Sequence, residues 1–290
     1  MKILIYSFGY SWHFGGIVVL HKLAELISQL GYETYLLNGE KSKAGRAKCI
    51  EMQEAIEIAN DSQTVVIYPE IVSGNPLNAD KVARWILFFP GVNGGEIKYG
   101  SSEFVFTYSE HFVENTEYSN LLVVRIIETM VDDFYDLSLT RSKDAVLVKK
   151  GHFEMENRAS LFLDPVIDSL YELESFDQII NNTNHISDYN LQLNQIRNFI
   201  SYDNHTYHSV LASFAGCVSI VIPEIGKTSD KFFRDFPEAK IAGVHYGFEE
   251  LSKGTLRKDL YKRRIDEIET ENVSGTRALL DSLKAHFKLE

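Results

Sequence analysis

Residues 1–37 form one unit of strand, glycine-bearing turn, amphipathic helix and second strand, an order that commits the start of the chain to an α/β sheet. Met1 to Tyr6 (MKILIY) is a short apolar run, and Ser7 to Phe14 make an aromatic and polar loop that ends at Gly15 and Gly16. From there Ile17, Leu20, Leu23, Ala24, Ile27 and Leu30 recur at intervals of three and four, which places them on one face of a helix. Gly31 stops that helix, and Tyr32 to Leu37 resume as strand. A loop that opens into a helix N-terminus at two glycines presents unpaired N–H groups and the positive end of the helix dipole with little side chain in the way. Gly15 and Gly16 are therefore candidates for receiving a polar or anionic ligand. They suit a tight turn with close helix packing equally well, and the dinucleotide fingerprint G-x-G-x-x-G is absent.

With 290 residues the chain is long enough for two domains, each with its own core. Apolar residues make up 44% and charged residues 24%, the balance of a soluble globular protein. No apolar stretch approaches the roughly 20 residues that cross a bilayer, and the opening MKILIYSF lacks the layout of a signal peptide. Two cysteines, Cys49 and Cys217, stand far apart without partners for a metal cluster, so a reducing compartment, the cytoplasm, is the expected location. A net charge of −12 repels phosphate backbones and anionic lipid over a Debye length of about 8 Å, which argues against extended nucleic acid. Small anions stay possible, because a pocket can be locally basic.

Strand and helix patterns alternate onward. Residues 51–59 suit a helix, 64–68 (TVVIY) a strand, 78–83 a short helix, and 85–89 (WILFF) a strand closed by Pro90 and Gly91. Residues 103–108 and 121–126 add apolar runs. After the polar stretch 132–143 the pattern restarts with strands at 145–149, 198–202, 218–223 and 241–244 and an apolar helix over 207–215. The tail, 255–287, reads as two helices broken near Asn272 to Gly275. The expected division is residues 1–138 and 139–290, two Rossmann-like α/β domains with mainly parallel sheets. In such sheets ligands bind past the carboxyl ends of the strands. That rule singles out Ser7 to Gly16, Pro69 and Glu70, Pro90 to Gly95, and Ser109 to His111.

In the second half, Tyr202-Asp-Asn-His-Thr-Tyr-His208 joins a strand to a helix. Asp203 or Thr206 can cap that helix, and its hydroxyl- and amide-bearing first turn suits a diphosphate, while ordinary capping explains the same residues. Lys149 and Lys150 stand at the carboxyl end of the 145–149 strand and bring positive charge to the same end, or are surface lysines. Asp132, Asp133 and Asp136 lack Asp-x-Asp metal spacing and read as solvated charge.

The chain resembles the GT-B glycosyltransferases. Its opening, MKILIYSFGYSWHFGGIVVLHKLAELISQLGYETYLL, looks like their acceptor half. The run ISYDNHTYHSVLASFAGCVSIVIPE is similar to the donor-binding stretch of bacterial polysaccharide and O-antigen enzymes, where a Y-D-P-x-T-like turn leads into a helix ending in G-C. Tyr202, Asp203, Thr206, Gly216 and Cys217 match; Asn204 replaces the usual proline. Segments 68–91 and 243–251 also look like parts of such enzymes. The resemblance implies two Rossmann-like domains facing each other across a cleft. A nucleotide-sugar donor sits on the second, a glycan or lipid-linked acceptor on the first, and no metal is required.

An inverting transfer needs a general base for the acceptor hydroxyl. Glu70 and His13 are the candidates, with Glu110 and His111 behind them; a retaining enzyme needs none. On the donor side Tyr202, Asp203, Thr206 and Tyr207 join Lys149, Lys150, Gly15 and Gly16. Glu224 and Glu249, with Glu250, are positioned to meet a ribose or sugar hydroxyl, or are helix-start carboxylates. Two other readings of the scaffold are a nucleotide-sugar epimerase or phosphorylase, and a binding protein without turnover. Peripheral membrane association follows if the acceptor is lipid-linked.

Overall fold

The structure, a computed structural model, describes residues 1–94, 96–113, 120–126, 132–147, 174–175, 185–204, 206–248 and 258–289. Contacts divide the chain into two compact units, Met1–Ile126 with Glu267–Glu290, and Ile127–Asp266. This division departs from the expected 1–138 and 139–290 mainly at the C-terminus, where residues 267–290 cluster with the first unit.

The first unit is built on β1 (Lys2–Tyr6), α1 (Gly15–Gln29), β2 (Glu33–Leu37), β3 (Lys48–Ile50), α2 (Met52–Ala59), β4 (Thr64–Pro69), β5 (Val82–Ile86), β6 (Phe104–Thr107) and β7 (Asn120–Leu121). Its strands form one sheet in the order β3-β2-β1-β4-β5-β6-β7, every pairing parallel. β4 (TVVIYP) and β5 (VARWI) are buried at every position, as a sheet covered on both faces requires. One face carries Leu4, Tyr35, Val66, Tyr68 and Val82 against Ala55 and Ala59 of α2. α1 ends as the sequence predicts: Gly31, at φ +89°, donates to Ser28 O (3.2 Å) and Tyr32 to Ile27 O (3.4 Å), the paired bonds of a left-handed helix stop.

The second unit contains β8 (Lys143–Leu147), β9 (Glu174–Ser175), α3 (Ile186–Leu193), β10 (Ile196–Ser201), α4 (His208–Phe214), β11 (Val218–Val221), α5 (Ser229–Asp235), α6 (Pro237–Ala242) and β12 (His245–Tyr246). Its described strands form a second parallel sheet, β12-β11-β10-β8-β9. Two parallel sheets with helices among their described connections are the Rossmann-like α/β class expected. Arg141 fastens the helix ends of this unit. Its Nη1 donates to Leu193 O and Ile196 O (both 3.1 Å), and its Nη2 donates to Ala215 O (2.6 Å), Asn194 Oδ1 (3.0 Å) and Asp136 Oδ1 (2.8 Å). Asp136 is exposed, as a solvated charge would be, and also pairs with Arg141. Gly216 ends α4 at φ +91°, and a Cβ there would lie 2.6 Å from Arg141 Nη2. The Gly216-Cys217 pair of the resemblance is in this fold a helix stop, its Cys217 thiol pushed up to about 12 by burial.

Several expected elements differ. Residues 78–83 are not a helix, because Asn78 sits at φ +51° and Asn75 takes the local bonds: its Oδ1 accepts from Ala79 N (3.0 Å) and Tyr68 Oη (2.9 Å). β5 accordingly begins at Val82 and has ended by residue 87. Residues 241–244 are not a strand. Pro237 starts α6, whose last turn includes Ile241, and left-handed Gly243 sends the chain into β12. Of the expected run 121–126 only Leu121 pairs in the sheet, beside Asn120.

The tail is one helix, α7 (Lys258–Phe287), unbroken at Asn272–Gly275. Those residues suggest a break only when their partners are unseen. Asn272 is fully buried; its Oδ1 accepts from Arg125 N and its Nδ2 donates to Arg125 O, both at 3.0 Å. A Cβ on Gly275 would stand 3.3 Å from Leu122. Asn272→Ala is expected to lower the stability of the first unit by roughly 2–4 kcal/mol, since it strands two main-chain groups. Glu271→Ala, which removes a surface pair with Arg125, is expected to cost under about 1 kcal/mol. Thermal unfolding of both variants checks the contrast.

Candidate functional site

In the first sheet β1 lies between β2 and β4, and the winding direction reverses there. In doubly wound sheets ligands bind at such a reversal, past the carboxyl ends of the two strands, here β1 and β4. The chain leaves β1 through Ser7 to Phe14 and leaves β4 at Glu70.

α1 begins without a side-chain cap and without an acidic residue in its first turn. Gly15 and Gly16 take ordinary helical backbone, with no positive φ. A Cβ on Gly16 would meet only Leu87 Cδ1, at 3.8 Å, so neither strain nor crowding demands glycine there. Phe14 beside them is 61% exposed. His13 is half-buried, bonded through Nδ1 to Ser11 Oγ (3.1 Å) and stacked on Trp12 with ring centroids 3.9 Å apart.

Glu70 is buried at the exit of β4. Its main chain continues the sheet, N–H donating to Trp85 O (3.0 Å) and C=O accepting from Tyr99 Oη (3.1 Å). Its carboxyl Oε2 accepts from Leu87 N (3.0 Å), a bond that takes the place of a strand ladder just past β5. Burial drives the carboxyl pKa up from 4.5 to about 7, against smaller lowering effects from the Leu87 N–H and the Arg84 charge. Leu87 thus joins two predicted features: its N–H holds Glu70, and its side chain lies against Gly16. Next to it, Phe88, Phe89 and Phe112 form an aromatic cluster with centroids 5.2–5.3 Å apart, which sequence reasoning did not isolate.

Arg84, also missed, is a fully buried cation of this unit. Its Nε and Nη2 donate to the two Glu103 oxygens (2.9 and 3.0 Å), Nη1 to Val72 O (2.6 Å) and Nη2 to Gly74 O (2.8 Å). The guanidinium lies 5.0 and 4.7 Å from the ring centroids of Tyr68 and Tyr99. This arginine is a structural group that braces the residues following Glu70. A lone arginine inside the apolar run VARWI is the signal that could have revealed it.

In the second sheet the reversal lies between β8 and β10. Lys149 and Lys150, just past β8, and Glu249 and Glu250 lie outside the described residues, as does the side chain of His111. Beyond β10 the turn is densely polar and buried: Ser201, Asp203, Asn204, Thr206, His208 and Ser209 are each at most 3% exposed. Tyr202 packs its ring with Val146, Ile200, Ile220, Ile222 and Phe248. Asp203 is tied to Ser201, whose Oγ accepts from Asp203 N (3.1 Å) and donates to Asp203 O (3.0 Å). Thr206 Oγ1 accepts from the N–H of His208 (3.3 Å), the first residue of α4, while the cap position is Tyr207 and carries no side-chain cap bond, so neither Asp203 nor Thr206 is the cap residue. Tyr207 stacks on His208 at 4.3 Å. Glu224, past β11, is partly exposed, and its N–H donates to Tyr246 Oη (3.2 Å).

No protein-family model matches the chain, and no curated protein matches it in sequence. Among the described residues no group of His, Cys, Asp and Glu gathers in the number a metal ion needs, and no helix is long and apolar enough to cross a membrane.

The Glu70 carboxyl holds its proton more tightly in the fold than in the unfolded chain. Its contribution to stability is therefore complete below about pH 4.5 and declines as pH rises through about 7. The decline is about 1.4 kcal/mol per pH unit between the two values, roughly 3 kcal/mol in all. Urea unfolding of wild type and Glu70→Gln from pH 4.5 to 8.5 measures it: the difference between them is expected to change by this amount, and parallel curves would exclude a raised carboxyl.

Proposed function

We propose that the chain is a glycosyltransferase of the GT-B kind, transferring a sugar from a nucleotide-sugar donor to a glycan or lipid-linked acceptor. Surface polysaccharide assembly in the cytoplasm, peripheral to the membrane where the acceptor is lipid-linked, is the setting this reading assigns. The observation that carries it is Glu70: a buried carboxyl with a pKa of about 7, oriented by one N–H bond at the winding reversal of a parallel sheet. A general base works best with a pKa near the operating pH, and a carboxylate of ordinary acidity would be a weak one.

In this mechanism Glu70 takes the proton of the acceptor hydroxyl as that oxygen attacks the anomeric carbon and the nucleoside diphosphate departs. The Leu87 N–H fixes the plane of the carboxyl, so its position does not depend on the acceptor. Phe88, Phe89 and Phe112 supply apolar ring faces of the kind on which sugars stack. His13, beside Gly15 and Gly16, is assigned to acceptor hydrogen bonding or to the base role itself. Their free helix start then receives a polar or anionic group. The donor is assigned to the second unit, at the Tyr202–Tyr207 turn, the Glu224 exit and the lysines after β8. Departure of the diphosphate without a metal then rests on main-chain N–H groups and basic side chains.

Glu70→Gln is expected to lower kcat by about 10²–10⁴ while leaving the fold intact, and wild-type kcat/KM is expected to rise with pH until about 7 and then level off. A rate unchanged in the glutamine variant excludes Glu70 as the base. UDP, GDP or CMP at a hundred times its dissociation constant is expected to stabilise the protein by about 2.7 kcal/mol, read as a rise in thermal midpoint. If none of the three raises the midpoint, the donor assignment is wrong. Gly16→Ala is expected to fold normally, its nearest contact being 3.8 Å, yet to turn over more slowly; unchanged turnover would return Gly16 to a packing role.

A further inference from the structure

The turn after β11 holds a buried cation that makes no hydrogen bond. Lys227 exposes only 6% of its side chain, and its Nζ is buried without a hydrogen bond to any group. The carboxylate that faces it, Glu224 Oε2, stands 3.7 Å away, an ion-pair distance but too long for a hydrogen bond. An ammonium brings three N–H donors into the interior, and burying them unmet is strongly unfavourable. The backbone on each side is pinned, so the lysine is aimed. Lys227 N donates to Glu224 O (3.1 Å), Tyr246 Oη accepts from Glu224 N (3.2 Å), and Tyr246 Oη donates to Lys227 O (3.3 Å).

A second unanswered polar atom stands at the same edge of the sheet. Asn204, 2% exposed, donates through Nδ2 to Ile222 O (3.3 Å), which fastens it to the exit of β11, while its Oδ1 is buried and accepts nothing. Arg84 in the other unit shows the usual outcome for an interior cation, with an acceptor for each donating nitrogen. At the β11 exit the missing partners are an acceptor with charge for Lys227 and a donor for Asn204. A phosphorylated group that also bears a hydroxyl supplies both.

We propose that Lys227 anchors an oxyanion subsite at the carboxyl end of β11, which takes the phosphate or diphosphate of a hydroxyl-bearing ligand, and that Glu224 is the resident counter-ion this anion displaces. Naming the anion as a donor diphosphate rests on the transferase reading above; the cationic subsite does not. Glu224 is the more exposed partner, at 35% against 6%, so it can swing to water while the lysine stays. The two residues of one ion pair therefore act in opposite directions on ligand affinity. An ion pair that only braces the turn would not behave so.

Titration calorimetry with inorganic pyrophosphate, and separately with UDP, GDP and CMP, tests this on wild type, Lys227→Met and Glu224→Gln. Lys227→Met is expected to weaken pyrophosphate by at least about tenfold. Glu224→Gln is expected to tighten it by roughly three- to tenfold, because a competing charge is gone. The methionine variant removes a buried charge that has no hydrogen bond, so its thermal midpoint is expected to hold or rise, and Lys227→Arg is expected to retain most of the binding. No pyrophosphate binding by wild type, equal affinity in Lys227→Met, or weakening in Glu224→Gln overturns the subsite. Nucleotide binding that ignores Lys227→Met overturns the subsite and leaves the donor reading standing. Lysine-dependent pyrophosphate binding with no affinity for any nucleotide does the reverse.

Discussion

In a parallel sheet the carboxyl ends of all strands lie along one edge, and each return connection must cross a face of the sheet to begin the next strand at the opposite edge. Both sheets of this protein are parallel throughout their described strands. The faces are therefore filled with apolar side chains, and irregular, polar backbone collects at the edges. Winding reverses at β1 and β4 in one sheet and at β8 and β10 in the other, the place where sheets of this kind bind their ligands. Ser7, His13 and Glu70 occupy that edge in the first unit; Asp203, Asn204, Glu224 and Lys227 occupy it in the second.

Buried polar groups in the two units fall into distinct kinds. Arg84 and Arg141 bridge segments of main chain, and each donating nitrogen of theirs meets an acceptor, so their charge is an element of construction. Glu70 is held at one oxygen and pushed by burial to a pKa of about 7, which suits a group that exchanges a proton. Lys227 Nζ and Asn204 Oδ1 are buried and make no hydrogen bond. Satisfaction, more than residue type, separates the bracing charges from those open to a ligand.

The legibility of the chain follows the range of the interactions. Strand-helix-strand over residues 1–37, the stop at Gly31, the helix over 51–59 and the strands at 64–68 and, apart from its last two residues, 218–223 were readable because periodicity and capping act within a few residues. Glu70 was readable as well, since a charged residue just after TVVIY and Pro69 lands at a strand exit. The misreadings share a cause. Asn78 and Asn272 look like a helix start and a helix break, but Asn75 closes the first segment as a loop and the main chain of Arg125 accommodates the second inside a helix. Those partners are supplied by the fold, and propensity has no access to them.

By itself the amino-acid sequence determined the α/β class, the parallel sheets and the strand exits where polar residues gather, because apolar spacing dictates which face each element buries. Only the tertiary structure decided which of those polar residues are answered. It gave Arg84 the Glu103 carboxylate, placed α7 on the Leu122–Arg125 segment, and left Lys227 buried with a carboxylate just out of hydrogen-bond reach. Hydrogen bonding and desolvation depend on atoms brought together from distant parts of the chain, and the linear order of residues does not record those meetings.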